Sequence, residues 1–161
     1  MKGDMSKLLP RVYLAAFLRS FAMGSSTFLV PIFAIGFGAS YVDIGVLGAL
    51  RHVIMLGLAT FLGHLADKHK QTRFMAAGLG IHSFSIALLS FAVSLPQIML
   101  FTAISGAGMS LFLISSQTLV AHMSSGLKRV STLGLMYGFV TIGMLSGPMV
   151  GGYLAESLNI R

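Results

Sequence analysis

Acidic residues are scarce in this chain. Four Asp and Glu stand against eleven Lys and Arg, and charged residues of both signs make up only 9% of 161 positions. Cysteine is missing altogether, which excludes disulfides, thiolate chemistry and any cysteine-ligated metal site. No carboxylate pair lies deep in an apolar stretch, and no histidine cluster stands at ligand spacing. Neither a nucleophile motif nor a glycine-rich phosphate loop following a strand is found. An enzyme is therefore not expected, and neither is a cofactor. What the chain has in abundance is apolar: 55% of its residues are hydrophobic and its mean hydropathy is +0.87. A soluble core of this length needs more polar surface around it. The net charge of +7 does not point to nucleic acid, because the Lys and Arg residues lie between long apolar runs and form no face or stripe.

Apolar windows fall at about 12–35, 42–62, 74–93, 98–121 and 132–154, each near the roughly 20 residues that cross a bilayer core. The expected fold is all-α: a polytopic membrane protein with five transmembrane helices. Lys2, Lys7 and Arg11 precede the first window as they would in a signal peptide. That window is long, however, contains Arg19 and offers no convincing small-residue cleavage site, so it is read as a retained span. Short loops rich in Lys and Arg stay cytoplasmic. Lys2, Lys7 and Arg11 precede helix 1, Lys68, Lys70 and Arg73 separate helices 2 and 3, and Lys128 and Arg129 separate helices 4 and 5. The loops GFGASY and SLPQ carry no Lys or Arg. The chain is thus expected in the cell membrane as a multi-pass protein, N-terminus cytoplasmic and C-terminus extracytoplasmic.

The segment GHLADKHKQTR, residues 63–73, concentrates Asp67, Lys68, Lys70 and Arg73 beside His64 and His69. Its opening words recur. Gly63-His64-Leu65-Ala66-Asp67 follows helix 2 and Gly152-Tyr153-Leu154-Ala155-Glu156 follows helix 5, while Gly24, Ser26, Phe28 and Leu29 in helix 1 match Gly108, Ser110, Phe112 and Leu113 in helix 4. If this repeat is real, helices 1, 2 and 3 correspond to 4, 5 and an absent sixth helix, with the two triplets crossing in opposite senses. Inverted triplets of this kind are a transporter architecture.

The loop segment resembles the signature between helices 2 and 3 of the major facilitator superfamily, with Gly63, Leu65, Ala66 and Asp67 in place and Lys68 a conservative match. Lys70 stands where that pattern has a second glycine, and Gln71 where it has a basic residue. Separately, GMLSGPMVGG, residues 143–152, resembles the helix 5 signature of the superfamily's antiporters through Gly143, Gly147, Pro148, Gly151 and Gly152. The resemblance covers nearly the whole chain. It implies that residues 1–161 are a partial N-terminal transporter domain, the first five of twelve helices and an incomplete 3+3 inverted repeat.

The same resemblance implies a conformational latch at Gly63, Leu65, Asp67, Lys68 and Arg73, which closes the cytoplasmic side when two six-helix halves meet. Gly63 would admit a neighbouring backbone, and Asp67 would face a helix N-terminus or pair with Lys68 or Arg73. The alternative is a solvated loop obeying the positive-inside rule, the favoured reading for Lys70, His64 and His69. In helix 5, Gly143, Gly147 and Gly151 form one smooth stripe for close packing, with Pro148 removing a backbone donor beside it. Without further helices, that stripe is expected to face lipid. In the family this segment goes with export by exchange.

Arg19, Arg51 and His82 fall within helices 1, 2 and 3, where a charge is costly unless functional or paired. Three roles fit Arg19: holding an anionic substrate in the pathway, pairing with an acid from elsewhere in a larger transporter, or snorkelling to the inner surface. Arg51 is nearer mid-helix and is the second substrate-binding candidate. His82 reads best as a buried, hydrogen-bonded histidine. Thr102 occupies the helix 4 position where proton antiporters of this type often carry arginine, which argues against proton coupling. Ser115, Ser116 and Gln117 either line a pathway or bond across helices.

The expected function is transport of a small solute by alternating access, of efflux type, in partnership with the lipid bilayer and with a C-terminal transporter half or a second copy. The competing expectation is a self-contained membrane protein that oligomerises and serves in assembly or interaction.

Overall fold

The computed structural model describes the backbone of residues 2–68, 70–124 and 126–157, and the side chains of residues 8–59, 61–62, 70–124, 126 and 128–157. Five helices follow one another: α1 (Lys2–Gly36), α2 (Tyr41–Lys68), α3 (Gln71–Leu89), α4 (Leu95–Met123) and α5 (Gly126–Ser157). All five are long and apolar enough to cross a membrane. Leu18, Val53, Phe84 and Leu145 are exposed, and helices apolar on their outer as well as their inner faces are what lipid selects. The chain is an all-α, multi-pass membrane protein.

Short connections end each helix by identifiable chemistry. After α1, Ala39 N donates to Ala34 O at 3.1 Å and Gly38 N to Ile35 O at 2.9 Å, the paired bonds of a Schellman turn. That turn needs a left-handed residue, supplied by Gly38 at φ +79. Ser40 then opens α2 with a capping box: its Oγ accepts from Asp43 N at 3.2 Å while Asp43 Oδ2 accepts from Ser40 N at 2.9 Å. The α3–α4 turn ends in a similar device, Val93 N donating to Gln97 Oε1 at 2.9 Å.

The apolar run suggested a third span reaching residue 93, but α3 stops at Leu89. The reason is the turn itself, in which Ser90, Phe91 and Ala92 N–H groups fold back onto the carbonyls of Ala87, Leu88 and Leu89. Hydrophobicity cannot distinguish that turn from helix, since Phe91, Ala92 and Val93 are as apolar as the span before them.

The chain packs as two compact units, one of Met1–Leu29 with Leu119–Arg161 and the other of Val30–Thr118. In the first, α1 and α5 run parallel in a fixed register. Tyr13 stacks on Phe139 with centroids 5.5 Å apart, and Gly143, Gly147 and Gly151 meet Phe17, Phe21 and Ser25 in turn. In the second, α3 and α4 are antiparallel, with Gly78 against Phe112, His82 against Gly108 and Ser85 donating to Phe101 O. There α2 and α4 are parallel, Gly106 lying against Arg51 O and Ser110 Oγ donating to Met55 O at 3.0 Å. These senses are those of consecutive membrane crossings. One end of the second unit is closed by an apolar cluster of Val30, Ala34, Leu47, Leu89, Ala92 and Ile98.

Candidate functional site

Small residues set how closely these helices approach, and the polar groups are placed by that approach. On α5, a Cβ at Gly143 would lie 2.5 Å from Phe17 O and 3.2 Å from Ser20 Cβ. A Cβ at Gly147 would run into Phe21 O. The glycine stripe expected to face lipid is therefore covered by α1 of the same chain. Pro148 completes the fit. A proline at 148 leaves Met144 O without its helical N–H partner, and this carbonyl lies 2.7 Å from where a Cβ at Gly24 would be. Ser25 Oγ adds a cross-helix bond to Gly147 O at 2.8 Å. Among the described residues, Gly152 meets only the Phe28 ring, at ordinary contact distance.

Arg19 belongs to this unit. It is 4% exposed, and its Nη2 donates to Ser20 Oγ at 3.0 Å. Ser20 is itself fully buried, and its Cβ is among the atoms packed at Gly143. The α1–α5 contact thus orients the arginine through its neighbour. Burial at this level places a guanidinium where few groups but an anion or dense hydrogen bonding can balance it.

Arg51 belongs to the other unit and is 5% exposed. A Cβ at Gly106 would lie 2.6 Å from its carbonyl, so α4 crosses α2 at the arginine itself. On the far side of α4, His82 Nδ1 and Ser105 Oγ are hydrogen-bonded at 2.9 Å, both buried. The backbones come together there because Gly78 and Gly108 are both glycine. Thr102 and Ser115 are also buried, and the Oγ1 of Thr102 and the Oγ of Ser115 have no hydrogen-bond partner among the described residues. Ser116 bonds to Leu113 O of its own helix at 2.9 Å, and Gln117 is half-buried.

The loop candidates are described less fully. Gly63, Leu65, Asp67 and Lys68 continue the backbone of α2, but their side chains, with those of His64 and Ala66, lie outside the described residues, as does His69 entirely. Lys70 is the N-cap of α3 without a side-chain capping bond, and Lys70 and Arg73 are exposed. Among the described residues, no group of three His, Cys, Asp or Glu could hold a metal ion.

Sequence reasoning did not single out Ser105, Gly106 or Gly78. A weak signal existed: Gly106 and Ser110 lie one turn apart on α4, as small residues do at a membrane helix crossing. The repeat suggested by sequence would map the α1–α5 pair onto the α4–α2 pair; both pairs run parallel, and both set a glycine against a backbone carbonyl.

Comparison with known proteins agrees with this architecture. The family model described as Major Facilitator Superfamily matches residues 12–161. The quinolone resistance protein NorA of Staphylococcus aureus is 25% identical over 152 residues, covering 94% of this chain and 39% of that protein. The uncharacterized MFS-type transporter C18.02 of Schizosaccharomyces pombe is 26% identical over 158 residues, covering 94% of this chain and 35% of its own length. The chain thus spans little more than a third of these curated relatives. With a family match over nearly all its residues and five apolar helices in the senses described, the chain belongs to the Major Facilitator Superfamily, a family of membrane transporters.

Proposed function

We propose that these five helices are the N-terminal part of a transporter that exports a small organic solute from the cell by alternating access, the N-terminus lying in the cytoplasm and the C-terminus outside. The observation that carries the reading is the burial of two arginines in apolar spans, Arg19 and Arg51. A membrane protein retains such costly groups where a substrate or a coupling step uses them. In this reading, Arg19 and Arg51 are substrate-binding residues, each attracting anionic charge on the solute from its own unit. The direction is supported by the α5 segment 143–152 and by a relative named for quinolone resistance. The helices matching the remainder of the relatives, on the same polypeptide, on another or on a second copy, supply the other wall of the pathway. Gly63, Leu65, Asp67, Lys68 and Arg73 act as the cytoplasmic latch against them.

The test is transport in proteoliposomes holding the full set of helices. Arg19→Ala should reduce transport of an anionic solute at least tenfold while insertion is retained, and Arg19→Lys should restore part of it. Equal transport by Arg19→Ala would remove the arginine from the pathway. The competing reading, a self-contained oligomer with an assembly role, requires these five helices to be sufficient. Robust solute uptake by liposomes containing only residues 1–161 would favour a transporter formed from copies of this chain.

A further inference from the structure

The α1–α5 pair is tightly closed along the glycines but not along its whole length. One turn before Gly143, the rings of Tyr13 and Phe139 stack between the two helices, and beside them opens a groove of about 290 Å³ lined by Pro10, Tyr13, Leu14, Phe17, Phe139 and Ile142. Leu14 and Ile142 are 57% and 58% exposed, so the groove opens outward and not into the interior of its unit. Its apolar lining suits a hydrocarbon chain and offers nothing to a free polar solute.

The charge at its own level is of one sign. At the level of the groove the cation is Arg11, on α1; Lys128 and Arg129, in the opening turn of α5, precede Phe139 by eleven and ten residues. Arg11, adjoining Pro10 and two residues before Tyr13, is exposed, as are Lys128 and Arg129. Within the groove's own levels, residues 10–17 of α1 and 139–142 of α5, there is no acidic residue. An apolar slot with an exposed arginine beside it matches an amphiphile with an anionic head.

We infer that the groove between α1 and α5 at the level of Tyr13 and Phe139 is a binding site for an anionic phospholipid, one acyl chain lying along Leu14, Phe17 and Ile142 and the phosphate meeting Arg11. The site follows from the parallel register of two helices and does not depend on the transport reading.

The absence of tryptophan makes a direct test available. Ile142→Trp and, independently, Leu14→Trp place one fluorophore in the groove, and Phe84→Trp places one on an exposed part of α3. Each full chain is reconstituted in vesicles of unlabelled phosphatidylcholine doped with either dibrominated phosphatidylglycerol or dibrominated phosphatidylcholine. Comparing the two lipids at one position cancels depth. The groove reporters should be quenched with an anionic-to-zwitterionic preference of roughly fivefold, the scale expected of one cation at a membrane surface, and Phe84→Trp with a preference of about one. Adding Arg11→Gln to either groove reporter should return the ratio to about one. Ratios of about one at both groove positions, or a preference that survives Arg11→Gln, would overturn the site.

Discussion

Gly147 has no room for a methyl group, because the atom in the way is a backbone carbonyl, Phe21 O, which cannot swing aside as a side chain would. Gly147→Ala should therefore force α1 and α5 apart and cost about 1–3 kcal/mol, as overpacking does elsewhere. Gly138, on the same helix, has no atom of the described residues within 4 Å of an added Cβ, and Gly138→Ala should cost nothing measurable. Reversible unfolding in mixed micelles would distinguish the two, and equal stability of both variants would contradict the packing. Ser105 makes a smaller contribution. Its bond to His82 lies between two membrane helices, where such bonds contribute on the order of 0.6 kcal/mol and up to about 1.7. Ser105→Ala should lower stability by about 1 kcal/mol and leave Gly147-dependent packing untouched, since the two lie in different units.

Among elements, the helices themselves were the most legible. Five apolar windows corresponded to five helices, because length and hydrophobicity are what a bilayer demands of a span. The ends were less so. Nothing apolar marks the stop of α3 at Leu89, where backbone groups turn back on themselves within a hydrophobic stretch. The proposed orientation rests on the loops and can be checked there, with the absence of cysteine giving a clean background. Tyr41→Cys, at a 92% exposed position, should react with an impermeant maleimide added outside cells, and Arg73→Cys only after permeabilisation. The reverse pattern would invert the topology. The proposed latch is an element-scale device as well. In the complete transporter, Asp67→Asn should abolish transport without reducing insertion, because a latch biases a conformational equilibrium and does not hold the helices in the membrane. Unchanged transport by Asp67→Asn would return this aspartate to the role of a solvated loop charge.

For the whole molecule, membership of a transporter family and a multi-pass fold were both readable from composition, charge placement and two short signatures. Each is written in one dimension: spans in the length of apolar runs, loops in their cations, family in residues close together in the chain. Partners across space are not written that way. The glycine stripe at 143, 147 and 151 announced a close contact but not with what. Only the tertiary structure brought α1 to it, through a register in which Phe17, Phe21 and Ser25 fall successively on the three glycines. Likewise, Arg19 and Arg51 stood out in sequence as costly charges, while their settings did not. Arg19 is oriented by a serine packed on α5, and Arg51 sits where α4 crosses α2. His82 was expected to be hydrogen-bonded, yet Ser105 as its partner depended on two glycines 30 residues apart in sequence, Gly78 and Gly108, facing each other. Hydrophobicity determines that a segment enters the bilayer and is nearly blind to rotation about the helix axis, since lipid accepts every apolar face equally. That rotation is decided by steric fit and hydrogen bonds between helices, and so by residues distant in sequence that meet only when the chain has folded.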